Sequence, residues 1–198
     1  MMNWPIMLAL GTTGIVVLVA VAVVLLAVWA IYNGLATARI RVKSSWAQID
    51  VQLKRRYDLI PNLVETVKGY AAHEKDTLER VIQARNSAMA AGAGGGGVAQ
   101  QAAAENMLTG ALRQIFALSE AYPNLKANES FMALQEELTS TENKIGFARQ
   151  YYNDTVEGYN IRVAKFPTNV LAGMFGFKPG EFFEVADAAT REPVKVKF

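Results

Sequence analysis

The sequence predicts an all-α protein: a single N-terminal transmembrane helix continuing into an antiparallel four-helix-type bundle, followed by a mostly non-helical aromatic C-terminal tail. Three observations lead there. Residues 15–31 read IVVLVAVAVVLLAVWAI, and no charged side chain precedes Arg39. Two later segments repeat apolar residues at a strict interval of seven. Beyond Pro167 that period is lost among Gly and Phe.

The anchor comes first, over residues 1–38. A helix rises about 1.5 Å per residue and a bilayer's hydrocarbon core is roughly 30 Å thick, so about 20 apolar residues suffice to cross it. Residues 6–31 provide that length, with Trp4, Trp29 and Tyr32 at the two expected interfaces. A cleaved signal peptide would need a basic start and a shorter apolar run, and Met1 to Pro5 contain neither Lys nor Arg. The following flank carries Arg39, Arg41 and Lys43, then Lys54, Arg55 and Arg56. Basic residues stay on the cytoplasmic side, so the expectation is a single-pass membrane protein with its N-terminus outside and its body cytoplasmic.

The bundle spans residues 39–167. Trp46, Leu53, Ile60 and Val67 lie seven apart, with Ile49, Leu63 and Tyr70 on a partner stripe. Pro61 falls inside this helix, where it removes a backbone donor and should kink the chain. A shorter helix is expected from about Lys75 to Ala91, with Leu78, Val81, Ile82 and Ala88 inward. Residues 92–97 read GAGGGG, a run too costly in entropy to stay helical. No strand precedes these glycines and no Gly-Lys-Ser/Thr follows, so they do not cradle a phosphate. Helix resumes from about Val98 to Ala121, burying Leu108, Leu112, Ile115 and Leu118. The returning helix repeats Phe131, Leu138, Ile145, Tyr152, Tyr159 and Phe166, with Asn128 as N-cap and Pro167 as stop. Trp46, Leu53, Ile60 and Val67 should face Leu134, Leu138, Ile145 and Tyr152.

The tail covers residues 168–198. Phe175, Phe177, Phe182 and Phe183 offer apolar area, and Val194, Val196 and Phe198 alternate with lysines as in a strand. The aromatics are an apolar patch of the kind that marks an interface, and the extended segment 194–198 can satisfy its backbone on a neighbour's edge. These seven residues are therefore the expected contact to a second copy. The alternative is that the aromatics fold back on their own bundle and the last five residues are disordered. The expectation is a homo-oligomer, a ring or cage joined by its tails.

The run 46–70, WAQIDVQLKRRYDLIPNLVETVKGY, resembles the signature of the LemA family. Residues 122–127 (YPNLKA), residues 138–143 (LTSTEN), the twin pairs Tyr152-Asn153 and Tyr159-Asn160, Phe166-Pro167 and the ending Phe182-Phe183-Glu184 agree with it. The resemblance covers nearly the whole chain. It implies a bacterial envelope protein with an N-terminal anchor and a mostly antiparallel four-helix body, no established enzymatic activity, and partners such as HtpX-type membrane metalloproteases or TPM-domain proteins. The chain has Tyr57 where the family more usually has His. Lacking cysteine, it cannot be one of the family's lipoproteins.

The residues offer little chemistry. Zero cysteines and one histidine exclude a thiolate zinc site and a di-iron bundle, which needs two Glu-x-x-His pairs. His73-Glu74 begins like a zinc-protease motif but has Thr77 where the second histidine must stand. No catalytic, cofactor or metal site is assigned. With 20 basic and 18 acidic residues, the charge of +2 is too mild for a nucleic-acid binder. Arg55, Arg56, Asp58, Asn62, Glu142, Asn143, Asn153 and Asn160 are read as a structural polar network, with Arg55 or Arg56 pairing with Glu142 across the bundle. The leading function is therefore a non-enzymatic membrane scaffold or adaptor that works through self-assembly or partner binding. Two alternatives come from other classes. One is a metal-dependent hydrolase or protease subunit using Asp58, Glu65, His73 or Glu142. The other is an anionic-lipid sensor built on the basic flank.

Overall fold

The computed structural model describes residues 4–71, 73–94 and 96–184. Among these, all regular structure is helical: α1 (Trp4–Tyr70), α2 (Lys75–Ala93), α3 (Gly97–Ser119), α4 (Pro123–Lys126), α5 (Glu129–Ala164) and α6 (Thr168–Met174). Val194, Val196 and Phe198 lie outside the described residues. The described chain divides into two compact units, one of residues 4–43 with 157–180 and one of residues 44–156 with 181–184. Helices α1 and α5 each contribute to both.

In the first unit, every side chain from Thr13 to Ala27 is exposed. Helix α1 contains an 18-residue window of mean hydropathy 3.1, long and apolar enough to cross a bilayer. Beyond it, Leu35 and Ala38 are buried with Tyr159, Ala172 and Phe177, and Ile31, Ala36, Val42 and Val163 pack around them.

The second unit is the bundle. Its core takes Ile49, Leu53, Ile60, Leu63 and Val67 from α1, and Leu78, Val81, Ala84, Ala88 and Ala91 from α2. Helix α3 adds Leu108, Leu112 and Ile115, and α5 adds Phe131, Leu138, Ile145, Tyr152 and Val156. The α1–α5 pairing is antiparallel: Trp46 meets Tyr152 edge-on at 5.3 Å, Arg56 reaches Glu142, and Asn128 Nδ2 donates to Tyr70 Oη at 3.0 Å. Leu53, Ile60, Val67, Leu138, Ile145 and Tyr152 are buried as the heptads require, while Trp46 and Leu134 are half-buried at the rim.

Local chemistry explains the ends. Asn128 Oδ1 accepts from the Phe131 N–H at 2.9 Å, capping α5. Pro123 occupies the first turn of α4, where its missing donor costs nothing, and Leu125 anchors that short helix in the core. Gly97 opens α3 with φ +81°, a left-handed conformation that favours glycine.

Several expectations are corrected. The glycine run is less of a break than its composition suggests, because α2 extends through Gly92 to Ala93 and α3 begins at Gly97. Ile82 is exposed, since Ala84 and Ala91 complete the stripe of Leu78, Val81 and Ala88. Leu118 is only half-buried at the frayed end of α3. Phe166 is 78% exposed, because α5 stops at Ala164 and the heptad register ends with the helix. The segment after Pro167 contains a helix, α6, that its glycines and aromatics did not announce.

Helix α1 runs through Pro61. The proline has no N–H to offer the carbonyl four residues earlier, which is Tyr57 O. Arg85 Nε of α2 donates to that oxygen at 2.8 Å. The donor lost in sequence is replaced from a neighbouring helix, as complete backbone pairing requires.

Two outcomes follow for chemical denaturation. Leu138→Ala or Ile145→Ala should each cost about 2–5 kcal/mol as buried truncations. Arg85→Met should cost about 1–3 kcal/mol by orphaning the carbonyl. In a Pro61→Ala background, where residue 61 regains its N–H, the Arg85→Met penalty should shrink; equal penalties in both backgrounds would refute the replacement.

Candidate functional site: a buried ion cluster and an extended strap

Arg56 is the centre of the bundle's polar chemistry. A position on the inner face of α1 leaves it 1% exposed among aliphatic side chains. Its Nη2 donates to Glu105 and its Nη1 to Glu142, while Nη1 also reaches Thr109 Oγ1 at 3.0 Å. The Thr109 hydroxyl donates onward to Glu142 Oε1 at 3.3 Å. Gln101, Glu105 and Thr109 follow one another by four along α3, so one face of that helix delivers all three.

Tyr57 joins from the next residue of α1. Its hydroxyl donates to Glu105 Oε1 and accepts from Gln101 Nε2 at 3.1 Å. Gln101 Nε2 also donates to Glu105 at 2.7 Å and to Ala88 O of α2 at 3.2 Å. Burial first, then the hydrogen bond to the Glu105 carboxylate and its negative charge, push the Tyr57 phenol well above its ordinary range. A guanidinium on two carboxylates, linked through a neutral phenol and an amide, ties α1, α2, α3 and α5 together. Glu142 is the wet end, with its side chain 38% exposed beside a cleft of about 130 Å³ lined by Leu112, Phe116, Leu138 and Asn143.

Of the residues singled out in sequence, Arg56 and Glu142 meet here. Arg55 lies outside and pairs with Glu137 at the surface. Asp58, Asn62 and Asn143 are exposed, because one step round a helix from a core position is solvent, so they are corrected from core network to surface. Sequence reasoning missed Tyr57, Gln101, Glu105 and Thr109. The signal was present: Glu105 falls on the Leu108, Leu112, Ile115 stripe, where an unpaired carboxylate would not be tolerated. Glu65 and His73 are exposed. Among the described residues no group of three or more His, Asp or Glu converges as a metal site would require.

Asn153 and Asn160 do something different. Asn153 Nδ2 donates to Phe183 O at 3.1 Å, and its Oδ1 accepts from the Phe183 N–H at 2.9 Å. Asn160 repeats the pattern on Gly180, donating to its carbonyl at 3.0 Å and accepting from its N–H at 2.7 Å. The preceding tyrosines hold the same stretch, Tyr152 Oη donating to Glu181 O and Tyr159 Oη to Lys178 O, each at 2.9 Å. Each Tyr-Asn pair thus acts on a helix as a neighbouring strand would, pairing with extended backbone by side chains. Glu181 Oε2 in turn accepts from the Val98 N–H at the start of α3 at 3.2 Å, an anion at the positive end of that helix.

This strap corrects the expected interface at Phe177 and Phe183, which are buried in their own chain. Phe183 is buried against Trp46 with the Arg149 guanidinium 5.6 Å from its ring centre. Phe177 is buried beside Tyr32 under the Arg39 guanidinium. Phe175 and Phe182 remain 48% and 43% exposed. The strap backbone is paired within its own chain at Lys178, Gly180, Glu181 and Phe183, while the segment 194–198 expected on a neighbour's strand lies outside the described residues.

Replacing Asn153 or Asn160 by Leu removes two hydrogen bonds to the strap, each worth about 0.5–1.5 kcal/mol. Limited chymotrypsin digestion should then cut at Phe182 or Phe183 about tenfold faster, with circular dichroism unchanged. The raised Tyr57 phenol has its own signature. Its contribution to stability is complete below the unfolded value near pH 10 and is lost as pH rises through the folded one. Above about pH 10 stability should therefore fall with a slope of roughly 1.4 kcal/mol per pH unit from this group. Tyr57→Phe should flatten the curve there.

In sequence the chain is similar to several known proteins. Magnetosome protein MamQ 2 of Paramagnetospirillum magneticum is 26% identical over 175 residues, covering 77% of this chain and 64% of its own. MamQ of Magnetospirillum gryphiswaldense is also 26% identical, over 174 residues with the same coverage. Protein LemA of Metamycoplasma hominis is 24% identical over 140 residues, or 71% of this chain and 63% of its own. The chain thus spans a little under two-thirds of the length of these relatives. The family model described as LemA matches residues 45–198, which takes in α2–α6, most of the bundle segment of α1, the ion cluster and the strap, and the chain belongs to the LemA family.

Proposed function

We propose that this protein is a non-enzymatic, membrane-anchored scaffold or adaptor of the bacterial envelope, acting through self-assembly or partner binding. The observation that carries this reading is the pairing of apolar exposure with internal consumption of polar groups. The side chains from Ile15 to Leu26 are more than half exposed wherever they are large and apolar, a surface that at this length suits the interior of a bilayer. Arg56, Glu105 and Tyr57, by contrast, are buried and spend most of their polar atoms on one another and on Glu142, Gln101 and Thr109, although Arg56 Nε has no partner among the described residues. This favours a helical docking surface over a reactive centre. Family membership supports the membrane association.

A surface for partners exists on the bundle. Val51 and Phe147, 63% and 75% exposed, line a groove between α1 and α5 with Gln48, Gln52, Lys144, Ala148 and Tyr151. The reading places the protein in the inner membrane with the body cytoplasmic, following the basic flank. Its partners are then further copies of itself, or the HtpX-type metalloproteases and TPM-domain proteins that the family resemblance implies.

The test uses the absence of native cysteine. Full-length protein carrying Phe147→Cys, crosslinked in the membrane and then purified in mild detergent, should yield a discrete oligomer or a defined heteromeric adduct. A strict monomer with no crosslinked partner would overturn the scaffold reading.

A further inference from the structure

The first unit carries an apolar surface that its own folding does not explain. Phe166, Val170 and Met174 succeed one another by four and are 78%, 53% and 74% exposed. Val170 and Met174 lie one turn apart on α6, while Ala172 of the same helix is buried against Leu35 and Phe177. Packing therefore uses one side of α6 and leaves the other apolar side open.

The depth of this surface is fixed by contact with α1. Phe175 stacks edge-on against Tyr32 at 5.0 Å, and Tyr32 is the residue that follows the apolar run ending at Ile31. Ile31 itself packs against the cluster that buries Ala172. Whatever level the end of the span occupies, Phe175 occupies it too. Tyr32 is an aromatic residue where aromatic side chains settle between hydrocarbon and water.

Charge supports the same placement. The unit carries Arg39, Arg41, Lys43, Arg162, Lys165 and Lys178 against the single acidic residue Glu157. Helix α6 has no charge of its own. Apolar side chains flanked by basic ones are the pattern of an element lying in a headgroup layer.

We propose that residues 166–175 form a second membrane-contact site, which seats Phe166, Val170, Met174 and Phe175 at the headgroup–acyl boundary of an anionic bilayer beside the transmembrane span. The ligand is the lipid surface itself. This inference rests on the anchor reading given above, and the experiment separates the two.

Full-length protein with one introduced cysteine, at Met174, Phe166, Val21 or Met132, is labelled with an environment-sensitive fluorophore. It is placed at one copy per nanodisc containing phosphatidylglycerol. Val21 reports the span, and Met132, 48% exposed on α5, reports an open surface of the bundle. Labels at Met174 and Phe166 should be quenched several-fold less by aqueous iodide than the label at Met132, and strongly by nitroxides attached near the lipid headgroups. If Val21 is protected while Met174 and Phe166 match Met132, the second contact is overturned and the anchor stands. If Val21 is open to iodide, the anchor falls and the contact with it. Protection that develops only in discs holding several copies would mean that another chain covers this face, which also overturns the proposal.

Discussion

A guanidinium buried to 1% exposure must be neutralised where it stands, and that requirement organises the bundle around Arg56. An isolated charge in such a place costs several kcal/mol, a large share of a small domain's stability, so the carboxylates of Glu105 and Glu142 arrive from α3 and α5 to offset it. Only one axial register of the helices brings both within reach. Leucine and isoleucine seams alone can slide by a heptad with modest loss; an ion cluster cannot. Losing one partner of such a buried pair costs about 3–5 kcal/mol, more than a single methyl-sized defect.

The arrangement extends outward through shared atoms. Tyr57 gives its hydroxyl to Glu105 and its carbonyl to Arg85, so one residue of α1 is held by α3 and by α2. The carbonyl is free for Arg85 only because Pro61 cannot claim it. A residue that would weaken an isolated helix thus creates an attachment point for a neighbour. Gln101 contributes in a second direction, bonding Ala88 O on α2 as well as the cluster. The hairpin of α2 and α3 is fixed by polar geometry as much as by its alanine-rich seam, which buries little area per residue.

The Tyr-Asn pairs show a second use of the heptad. Tyr152 and Tyr159 are core positions by period and by burial, yet each phenol ends on a strap carbonyl. The following asparagines match both backbone polar groups of one residue, as a strand partner would. A tail without a second strand can therefore be extended and satisfied. The strap needs no second strand to satisfy Lys178, Gly180, Glu181 and Phe183, although Phe175 and Phe182 stay partly open to solvent.

What the sequence by itself determined was everything governed by period and by local backbone chemistry. The apolar run needed no neighbour to be recognised. The heptads placed Leu53, Ile60, Leu138, Ile145 and Tyr152 inside, and Asn128 and Pro167 marked the limits of α5 through hydrogen bonding and sterics that act within a few residues. The pairing of an α1 arginine with Glu142 was also legible, although only the tertiary structure could choose Arg56 over Arg55, since adjacent residues on a helix point about 100° apart. Tertiary structure alone decided the rest. Glu105 became an ion-pair partner because α3 packs beside Arg56, Asn153 and Asn160 became strap holders because the chain returns along α5, and Phe177 and Phe183 became core because that return covers them. Periodicity reports which way a side chain leaves its own helix; what it meets there depends on residues tens of positions away, and no local signal carries that.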